Sequence, residues 1–200
     1  MEEIARGAES IIYAAAIMGR EAILKRRVRK RYRIEALDLE IRASRARREA
    51  KIMALAGRAG IGVPVLLLFD GYDIYMSPVA GERLDTLIMN GGFDARMLEG
   101  VGAALWALHR IGIAHGDYTP ANIMIEGSTP YIIDFGLSEV TESVEEKALD
   151  VLLMKRSLSQ SQYRSFIKGY TRGSTGSRYI LRRLEGIERR GRYQTRTLAV

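Results

Sequence analysis

Cysteine is absent from this chain of 200 residues, which excludes disulfide bonds, thiol nucleophiles and thiolate metal sites. No apolar run approaches the roughly 18 residues that a membrane-spanning helix needs. The acidic, alternating N-terminus also lacks the charged and then apolar order of a secretory signal. These absences favour a cytoplasmic protein without a membrane partner. The apolar share of 47% and the charged share of 28% are those of a globular protein and exclude a disordered chain.

The net charge of +7 is concentrated in two segments, residues 25–51 and 178–196. A solvated surface is the simpler interpretation of either segment taken alone. Tyrosines are interleaved with the arginines in both segments, at Tyr32, Tyr179 and Tyr193. A nucleic-acid partner is therefore a second interpretation.

The spacing of apolar residues changes along the chain and predicts two lobes. Residues 2–28 alternate loosely between apolar and polar, as short antiparallel strands do. Further strands are predicted at 65–69, 73–76, 123–125 and 131–133, and helices at 36–56, 95–111, 144–157 and 160–170. The predicted fold is α+β, with a small β-rich N-lobe and a reduced helical C-lobe. The predicted boundaries are an N-lobe at 1–78, a C-lobe at 79–177 and a basic C-terminal tail at 178–200.

Two motifs in the second half carry the strongest chemical signal. Residues 115–122 read H-G-D-Y-T-P-A-N, and residues 132–136 read I-I-D-F-G. Phosphoryl transfer requires an aligned nucleophile and neutralised phosphate charge rather than covalent chemistry by the protein. Asp117 can orient the attacking hydroxyl or water, and Asn122 and Asp134 offer the oxygen ligands that Mg²⁺ prefers. The motifs predict ATP and Mg²⁺ as cofactors, with Asp117 catalytic and Asn122 and Asp134 binding the metal.

In this combination the sequence resembles the eukaryotic-type protein kinases, which implies a two-lobed protein-kinase-like fold. The resemblance implies that Lys25, in I-L-K at 23–25, holds the α- and β-phosphates and that Glu49 is its helical partner. Glu49 lies on the apolar stripe of the predicted helix, where a carboxylate is costly unless it is paired. The segment around Ser77 and Val79 resembles the hinge, whose backbone would bind adenine.

Three departures from the kinase pattern narrow the prediction. The loop over the phosphates, R-G-A-E-S-I at 6–11, contains a single glycine, which leaves Gly7 and Ser10 as its candidate nucleotide-binding residues. Gly116 replaces the arginine that usually grips a phosphorylated activation loop, so switching by loop phosphorylation is not expected. Only residues 137–149 separate the D-F-G motif from Asp150, and A-P-E is missing. The usual platform for a peptide substrate is therefore not expected.

Nearly the whole chain resembles one family, the atypical kinase/ATPase of the KEOPS complex, known as the PRPK or Bud-type group. Its motifs are matched in chain order by R-G-A-E at 6–9, K-x-Y-R at 30–33, L-D at 37–38, R-x-x-x-E-A at 45–50, H-G-D at 115–117, I-D-F-G-L-S at 133–138, E-x-K-A-x-D at 145–150 and R-G-R at 190–192.

This resemblance implies a KEOPS subunit that hydrolyses ATP, acts as an atypical serine/threonine kinase and supports threonylcarbamoyladenosine modification of tRNA. It implies two protein partners, the threonylcarbamoyl-transferase subunit and a small regulatory subunit. Arg190 and Arg192 are expected to contact tRNA phosphates, because phosphate contacts dominate nucleic-acid affinity. The alternatives are another atypical kinase, of the Rio or small-molecule phosphotransferase kind, and a kinase-fold scaffold without turnover. Whether water or a protein accepts the phosphoryl group stays open.

Overall fold

The computed structural model describes the backbone of residues 1–30 and 32–197 and the side chains of those residues up to 190. The N-lobe is an antiparallel five-stranded sheet with the strand order β1-β2-β3-β5-β4. Its strands are β1 (Glu2–Arg6), β2 (Ser10–Ile17), β3 (Arg20–Arg27), β4 (Leu66–Phe69) and β5 (Asp73–Met76). The single long helix of this lobe, α1 (Glu35–Arg58), follows β3 in the chain.

The C-lobe is mainly helical, with short strands between its helices. Its helices are α2 (Leu84–Met89), α3 (Ala95–Arg110), α4 (Val144–Ser157), α5 (Gln160–Thr171) and α6 (Ser177–Thr197). Its strands are β6 (Glu82–Arg83), β7 (Ile113–Ala114), β8 (Ile123–Glu126), β9 (Thr129–Ile132) and β10 (Glu139–Val140). Strands β6, β8 and β9 form one antiparallel sheet, and β7 pairs with β10. This two-lobed α+β arrangement confirms the predicted fold class.

Strand β3 and helix α1 explain how charged side chains enter the cleft between the lobes. Successive side chains of a strand point to opposite faces, so Lys25 and Arg27 share one face of β3 while Arg26 points to the other. The buried stripe of α1 includes Ala46, Glu49 and Met53, at the spacing of one helix face. Glu49 therefore faces the sheet from a stripe whose neighbouring positions, Ala46 and Met53, are apolar.

One apolar core extends through both lobes. It includes Ile74 of the N-lobe sheet together with Leu98 and Leu105 of α3, all essentially buried. Side chains cap the N-termini of α3 and α5: Asp94 accepts a hydrogen bond from the Met97 amide at 2.7 Å, and Ser159 forms a capping box with Gln162.

Residues 178–190 depart from the predicted basic tail. They belong to helix α6, whose Ile180 and Leu184 are buried in the core. Arg183 and Arg190 both bond the Glu145 carboxylate on α4. The physical reason is an amphipathic pattern within the arginine-rich segment: the apolar residues at i and i+4 share a face, so the helix can pack. Residues 198–200 of the predicted tail lie outside the described residues.

Among the described residues, no helix combines the length and apolar character needed to cross a membrane.

Two glycines allow helices α3 and α5 to cross at close range. A Cβ atom added at Gly102 would lie 2.0 Å from the Phe166 carbonyl oxygen, and one added at Gly169 would lie 1.8 Å from the Glu99 carbonyl oxygen. Both clashes are with helix backbone, which cannot yield as a flexible side chain would. Close approach of the two backbones is therefore a requirement at both positions.

We predict that Gly102→Ala lowers the free energy of unfolding by roughly 1–3 kcal/mol, because α3 and α5 must separate to admit the methyl group. Gly100→Ala on the same helix is the matched control, since its nearest neighbour would lie 3.6 Å away, an ordinary contact. Its helix propensity should raise the stability by about 0.5–1 kcal/mol. Chemical denaturation of both variants tests the pair, and equal effects would contradict the close crossing.

Candidate active site

Asp150 on α4 holds the segment that follows β7. Its carboxylate accepts hydrogen bonds from the backbone amides of His115 at 2.7 Å and Gly116 at 2.8 Å. Asp150 is fully buried, and it also bonds the His109 ring at 3.0 Å. The aspartate thus fixes the backbone immediately before Asp117.

His115 braces the same loop from within. Its Nε2 atom lies 3.2 Å from the Ile133 carbonyl oxygen, its Nδ1 atom lies 3.3 Å from the Asp117 amide, and its carbonyl accepts from the Ser138 hydroxyl at 2.8 Å. This geometry requires a neutral ring with the proton on Nε2. Burial lowers the pKa of His115 despite the opposing charge of Asp150, which keeps the ring neutral. His115 therefore joins the loop to the strand that leads to Asp134.

Asp117 and Asn122 are held against each other. The Asn122 amide nitrogen donates to the Asp117 carboxylate at 2.8 Å and to the Asp117 carbonyl at 2.9 Å. This leaves the Asn122 amide oxygen for another partner. The Ile133 amide donates to the Asn122 carbonyl at 2.9 Å, so Asp134 follows directly on a residue bonded to Asn122.

Asp134 stands at the end of this connection, in a left-handed conformation with a φ of 61°. Its carboxylate accepts from the Gly136 amide at 3.1 Å and from the Lys25 ammonium at 2.7 Å, and about half of the side chain, 50%, is exposed. Desolvation raises the pKa of Asp134, but the charge and hydrogen bond of Lys25 outweigh it and hold the pKa below its usual value. The carboxylate is therefore ionised and accessible.

Lys25 is buried between the two acidic groups. Its ammonium lies 2.5 Å from the Glu49 carboxylate as well as 2.7 Å from Asp134. Desolvation lowers the pKa of Lys25, but the two carboxylate charges more than compensate, so the pKa is raised and the group stays charged. The ion pair expected between Lys25 and Glu49 is thus present, and Asp134 is an additional partner.

Arg27 is a buried cation of the cleft that the sequence analysis did not identify. It donates to the second oxygen of Glu49, on the side opposite Lys25. The available signal was the two-residue separation from Lys25, which places both side chains on one face of a strand. In the sequence this signal was hidden within a longer basic run.

A cavity of about 420 Å³ brings five of the predicted residues together. Its lining includes Gly7, Ser10, Lys25, Asp117, Asp134 and Gly136. The loop between β1 and β2 closes one side of the cavity, where the Gly7 amide donates to the Ser10 carbonyl at 2.9 Å. Glu9 ties this loop to Arg45 of α1 at 3.0 Å, which accounts for the acidic residue of R-G-A-E.

The predicted hinge residues do not line this cavity. The Ser77 amide donates to the Val65 carbonyl at 2.9 Å, and the Ser77 hydroxyl accepts from the Val65 amide at 3.0 Å. The Ser77 N–H thus continues the pairing beside β5, which leaves the Ser77 carbonyl as the backbone group still available for the expected adenine contact. The Val79 amide makes no backbone hydrogen bond among the described residues.

The arginines proposed for tRNA are also placed differently from expectation. Arg190 lies on α6 with its guanidinium 3.0 Å from Glu145, so it is not on a free tail. The side chain of Arg192 lies outside the described residues.

Protein ligands for a metal are few at this site. No group of three or more histidine, cysteine, aspartate or glutamate side chains that could hold a metal occurs in the described part of the chain. Asp134 and the free amide oxygen of Asn122 nevertheless form a small set of hard oxygen donors. Mg²⁺ commonly takes one or two protein oxygens and completes its shell with water and substrate phosphates. The donor set therefore fits Mg²⁺ held jointly with a polyphosphate.

Comparison with known proteins agrees with this geometry. The RIO1 family model, described as a RIO domain, matches residues 18–158. The chain is 35% identical over 216 aligned residues to the KEOPS complex subunit Bud32 of Pyrococcus abyssi, covering 98% of both chains. It is 36% identical over 197 residues to a probable bifunctional tRNA threonylcarbamoyladenosine biosynthesis protein of Methanothermobacter thermautotrophicus, covering 95% of this chain and 36% of that protein.

A solved structure shares the fold. The Rio2 kinase of Chaetomium thermophilum, in an ADP/Mg²⁺-phosphoaspartate complex, has a TM-score of 0.65 and 18% sequence identity. The match covers 95% of this chain and 70% of that chain. At this identity the likeness establishes the protein-kinase-like fold and nothing about ligands.

The second histidine of the chain, His109, is enclosed by two polar partners. Its Nδ1 lies 2.8 Å from the Tyr170 hydroxyl, and its Nε2 lies 3.0 Å from Asp150. Burial lowers its pKa, although the charge of Asp150 opposes the shift. Both histidines of the chain therefore have folded-state pKa values below the unfolded value of about 6.5.

We predict that stability is lost as the pH falls below about 6.5, because the unfolded chain then binds protons that the folded chain excludes. Each histidine contributes a slope of up to about 1.4 kcal/mol per pH unit. His109→Gln removes one titrating group and should flatten the slope by up to that amount. Urea denaturation between pH 5 and pH 8 measures it, and an unchanged slope in the variant would show that His109 titrates normally in the folded state.

Proposed function

The chain belongs to the Bud32 family of RIO-domain, kinase-like KEOPS subunits, and on that premise we propose that it binds ATP with Mg²⁺ and cleaves the γ-phosphate in support of tRNA threonylcarbamoyladenosine modification. One observation carries the proposal. Lys25 of the N-lobe and Asp117 and Asp134 of the C-lobe line the same cavity, under the loop of Gly7 and Ser10. A cation, a candidate base and a candidate metal ligand thus line the same cavity.

The proposed nucleotide lies with its phosphates in this cavity and its adenine toward the segment after β5. Lys25 donates to phosphate oxygens, and the backbone at Gly7 and Ser10 covers them. The Ser77 carbonyl and the Val79 amide are the proposed adenine partners. Glu49 holds the Lys25 ammonium at 2.5 Å and thereby orients it.

Asp134 and Asn122 would hold the Mg²⁺ ion, which neutralises phosphate charge when it is bound. The remaining roles belong to the chain. Asn122 donates to the Asp117 carboxylate at 2.8 Å and holds that group in the cavity. From there Asp117 can accept the proton of the attacking hydroxyl or water while the nucleophile is aligned with the γ-phosphate.

Water is the acceptor that the structure favours. Strand β10 pairs with β7 at residues 139–140, and α4 begins at Val144. The chain therefore passes from the D-F-G motif to the next helix within a short turn, and no longer segment remains to hold a peptide. Phosphorylation of serine or threonine would require an acceptor presented by another protein. This is consistent with an ATPase that works within an assembly.

We propose the threonylcarbamoyl-transferase subunit and a small regulatory subunit as protein partners, and tRNA as a neighbour in the complex. Helix α6 is the proposed tRNA-facing element, with Arg190 and Arg192 near its end. Because Arg190 bonds Glu145, the exposed Arg178, Arg182 and Arg189 become further candidates. They lie at i, i+4 and i+11, on one side of the helix, and no salt bridge engages them within the described residues.

We predict that Asp117→Asn lowers ATP turnover by roughly 10²–10⁴-fold while ATP binding is retained, because the shape is kept and the charge that orients the nucleophile is lost. Asp134→Ala should instead weaken Mg²⁺-dependent nucleotide binding as well as turnover. Steady-state hydrolysis and titration calorimetry with both variants separate the two effects. Wild-type turnover in Asp117→Asn would remove Asp117 from its role, and a wild type that binds ATP without turnover, with or without its partners, would favour the scaffold.

We predict that replacing Arg182 and Arg189 by Ala weakens tRNA binding by the assembled complex and flattens its salt dependence. Each lost phosphate contact should reduce the log–log salt slope by about 0.7–0.9. Arg190→Ala/Arg192→Ala tests the originally expected pair in the same assay. Arg20→Ala, at the exposed start of β3, is the control and should leave the slope unchanged. Unchanged slopes in both double variants would exclude α6 as a tRNA contact.

A further inference from the structure

Arg27 is the most unusual charged residue of the cleft. Only 6% of it is exposed, and it lines the cavity together with Lys25 and Asp134. One terminal nitrogen donates to Glu49, whereas its Nε is the one buried side-chain polar atom of the described residues without a hydrogen-bond partner. An unsatisfied buried donor costs roughly 1–3 kcal/mol, more when it is charged. The site thus retains a cation whose hydrogen-bonding capacity is incompletely used.

The charges around Arg27 balance only while Asp134 is paired with Lys25. Lys25 and Arg27 bring two positive charges, and Glu49 and Asp134 bring two negative charges. If Asp134 turns to a metal ion, Glu49 alone remains to neutralise two cations. One of its oxygens is already held by Arg27 and the other by Lys25. The cluster then carries an excess positive charge beside the cavity.

We propose that Arg27 is a second positioning cation of the nucleotide site: it keeps Glu49 neutralised and in place, so that Lys25 can exchange Asp134 for the polyphosphate of a nucleoside triphosphate. This inference rests on the proposed function. It adds a residue that determines how strongly the site prefers polyphosphate over an uncharged nucleoside.

The geometry explains why Arg27, rather than another arginine, serves this purpose. Arg26, its neighbour on β3, points to the other face and pairs with Asp73 at 2.5 Å, with 46% of its side chain exposed. Arg45 bonds Glu9 at the rim, where both partners are partly exposed. Among the described arginines, only Arg27 shares the buried carboxylate that also holds Lys25.

The experiment compares ATP and adenosine binding to the full chain, with and without Mg²⁺, in wild type, Arg27→Gln, Arg27→Lys and the control Arg26→Gln. Gln is shorter than Arg and carries no charge, so the charged hydrogen bond to Glu49 is lost, and Lys restores the charge. We expect Arg27→Gln to reduce ATP affinity roughly tenfold or more, as for the loss of a hydrogen bond to a charged group, while adenosine affinity is unchanged. Arg27→Lys should recover much of the loss, and Arg26→Gln should match wild type.

Equal weakening of ATP and adenosine in Arg27→Gln would show a purely structural role and overturn the proposal, as would an unchanged ATP affinity. If Arg27→Gln does not fold, the Arg27 Nε–H signal of the wild type is followed by ¹⁵N NMR. It should shift with ATP and not with adenosine, and a signal indifferent to ATP would overturn the proposal. Failure of the proposed function is a separate result, because the wild type itself would then show no preference for ATP over adenosine.

Discussion

The buried ammonium group of Lys25 is the point on which the two lobes depend. It comes from the N-lobe sheet, bonds Glu49 of the long helix and bonds Asp134 of the C-lobe, at 2.5 and 2.7 Å. A charge buried so deeply is tolerated only with well-placed partners, and removal of one partner leaves an uncompensated ion. Strand, helix and cleft must therefore come together in one arrangement. The cluster is therefore sensitive to ligands, because a ligand that binds Asp134 changes the charge balance around Lys25 and its other partners.

A second buried carboxylate, Asp150, has the opposite character. It accepts two backbone amides and faces the His109 ring, and none of these partners is a charged side chain that a nucleotide could claim. Burial keeps His109 and His115 neutral, so the hydrogen bonds around the loop do not depend on a mobile proton. The C-lobe thus offers a rigid base for Asp117 and Asn122, whereas the Lys25 cluster offers charges that can be redistributed. A phosphoryl-transfer site needs both properties, since the nucleophile must be aligned and the phosphate charge must be neutralised.

Sequence reasoning was strongest where local pattern and chemistry coincide. The helices at 95–111, 144–157 and 160–170 were predicted within a residue or so of their observed ends, because their apolar faces and caps are local features. The order of Lys25, Glu49, Asp117, Asn122 and Asp134 is also readable, because each stands in a motif. The sequence was sufficient to choose these five residues as candidates. The structure was needed for the distances between them.

Features that depend on contacts between segments distant in the sequence were not predictable in this way. The use of the Ser77 amide depends on Val65, and the close crossing at Gly102 depends on the backbone of another helix. The arginine-rich residues 178–190 belong to a helix because Ile180 and Leu184 pack into the core. Composition alone does not show this, since it does not give the spacing of the apolar residues. Arg27 was missed since a buried arginine and a solvated one look alike in a basic run, until the carboxylate that faces it is known.

We propose that Lys25 exchanges Asp134 for nucleotide phosphates when Asp134 binds the metal. A crystal structure of the chain with a non-hydrolysable ATP analogue and Mg²⁺ tests it most directly. We expect that the contact between Lys25 and Asp134 is broken, that Lys25 contacts the α- or β-phosphate, and that Asp134 and Asn122 coordinate the ion. A nucleotide bound elsewhere, with the Lys25–Asp134 contact intact, would contradict it.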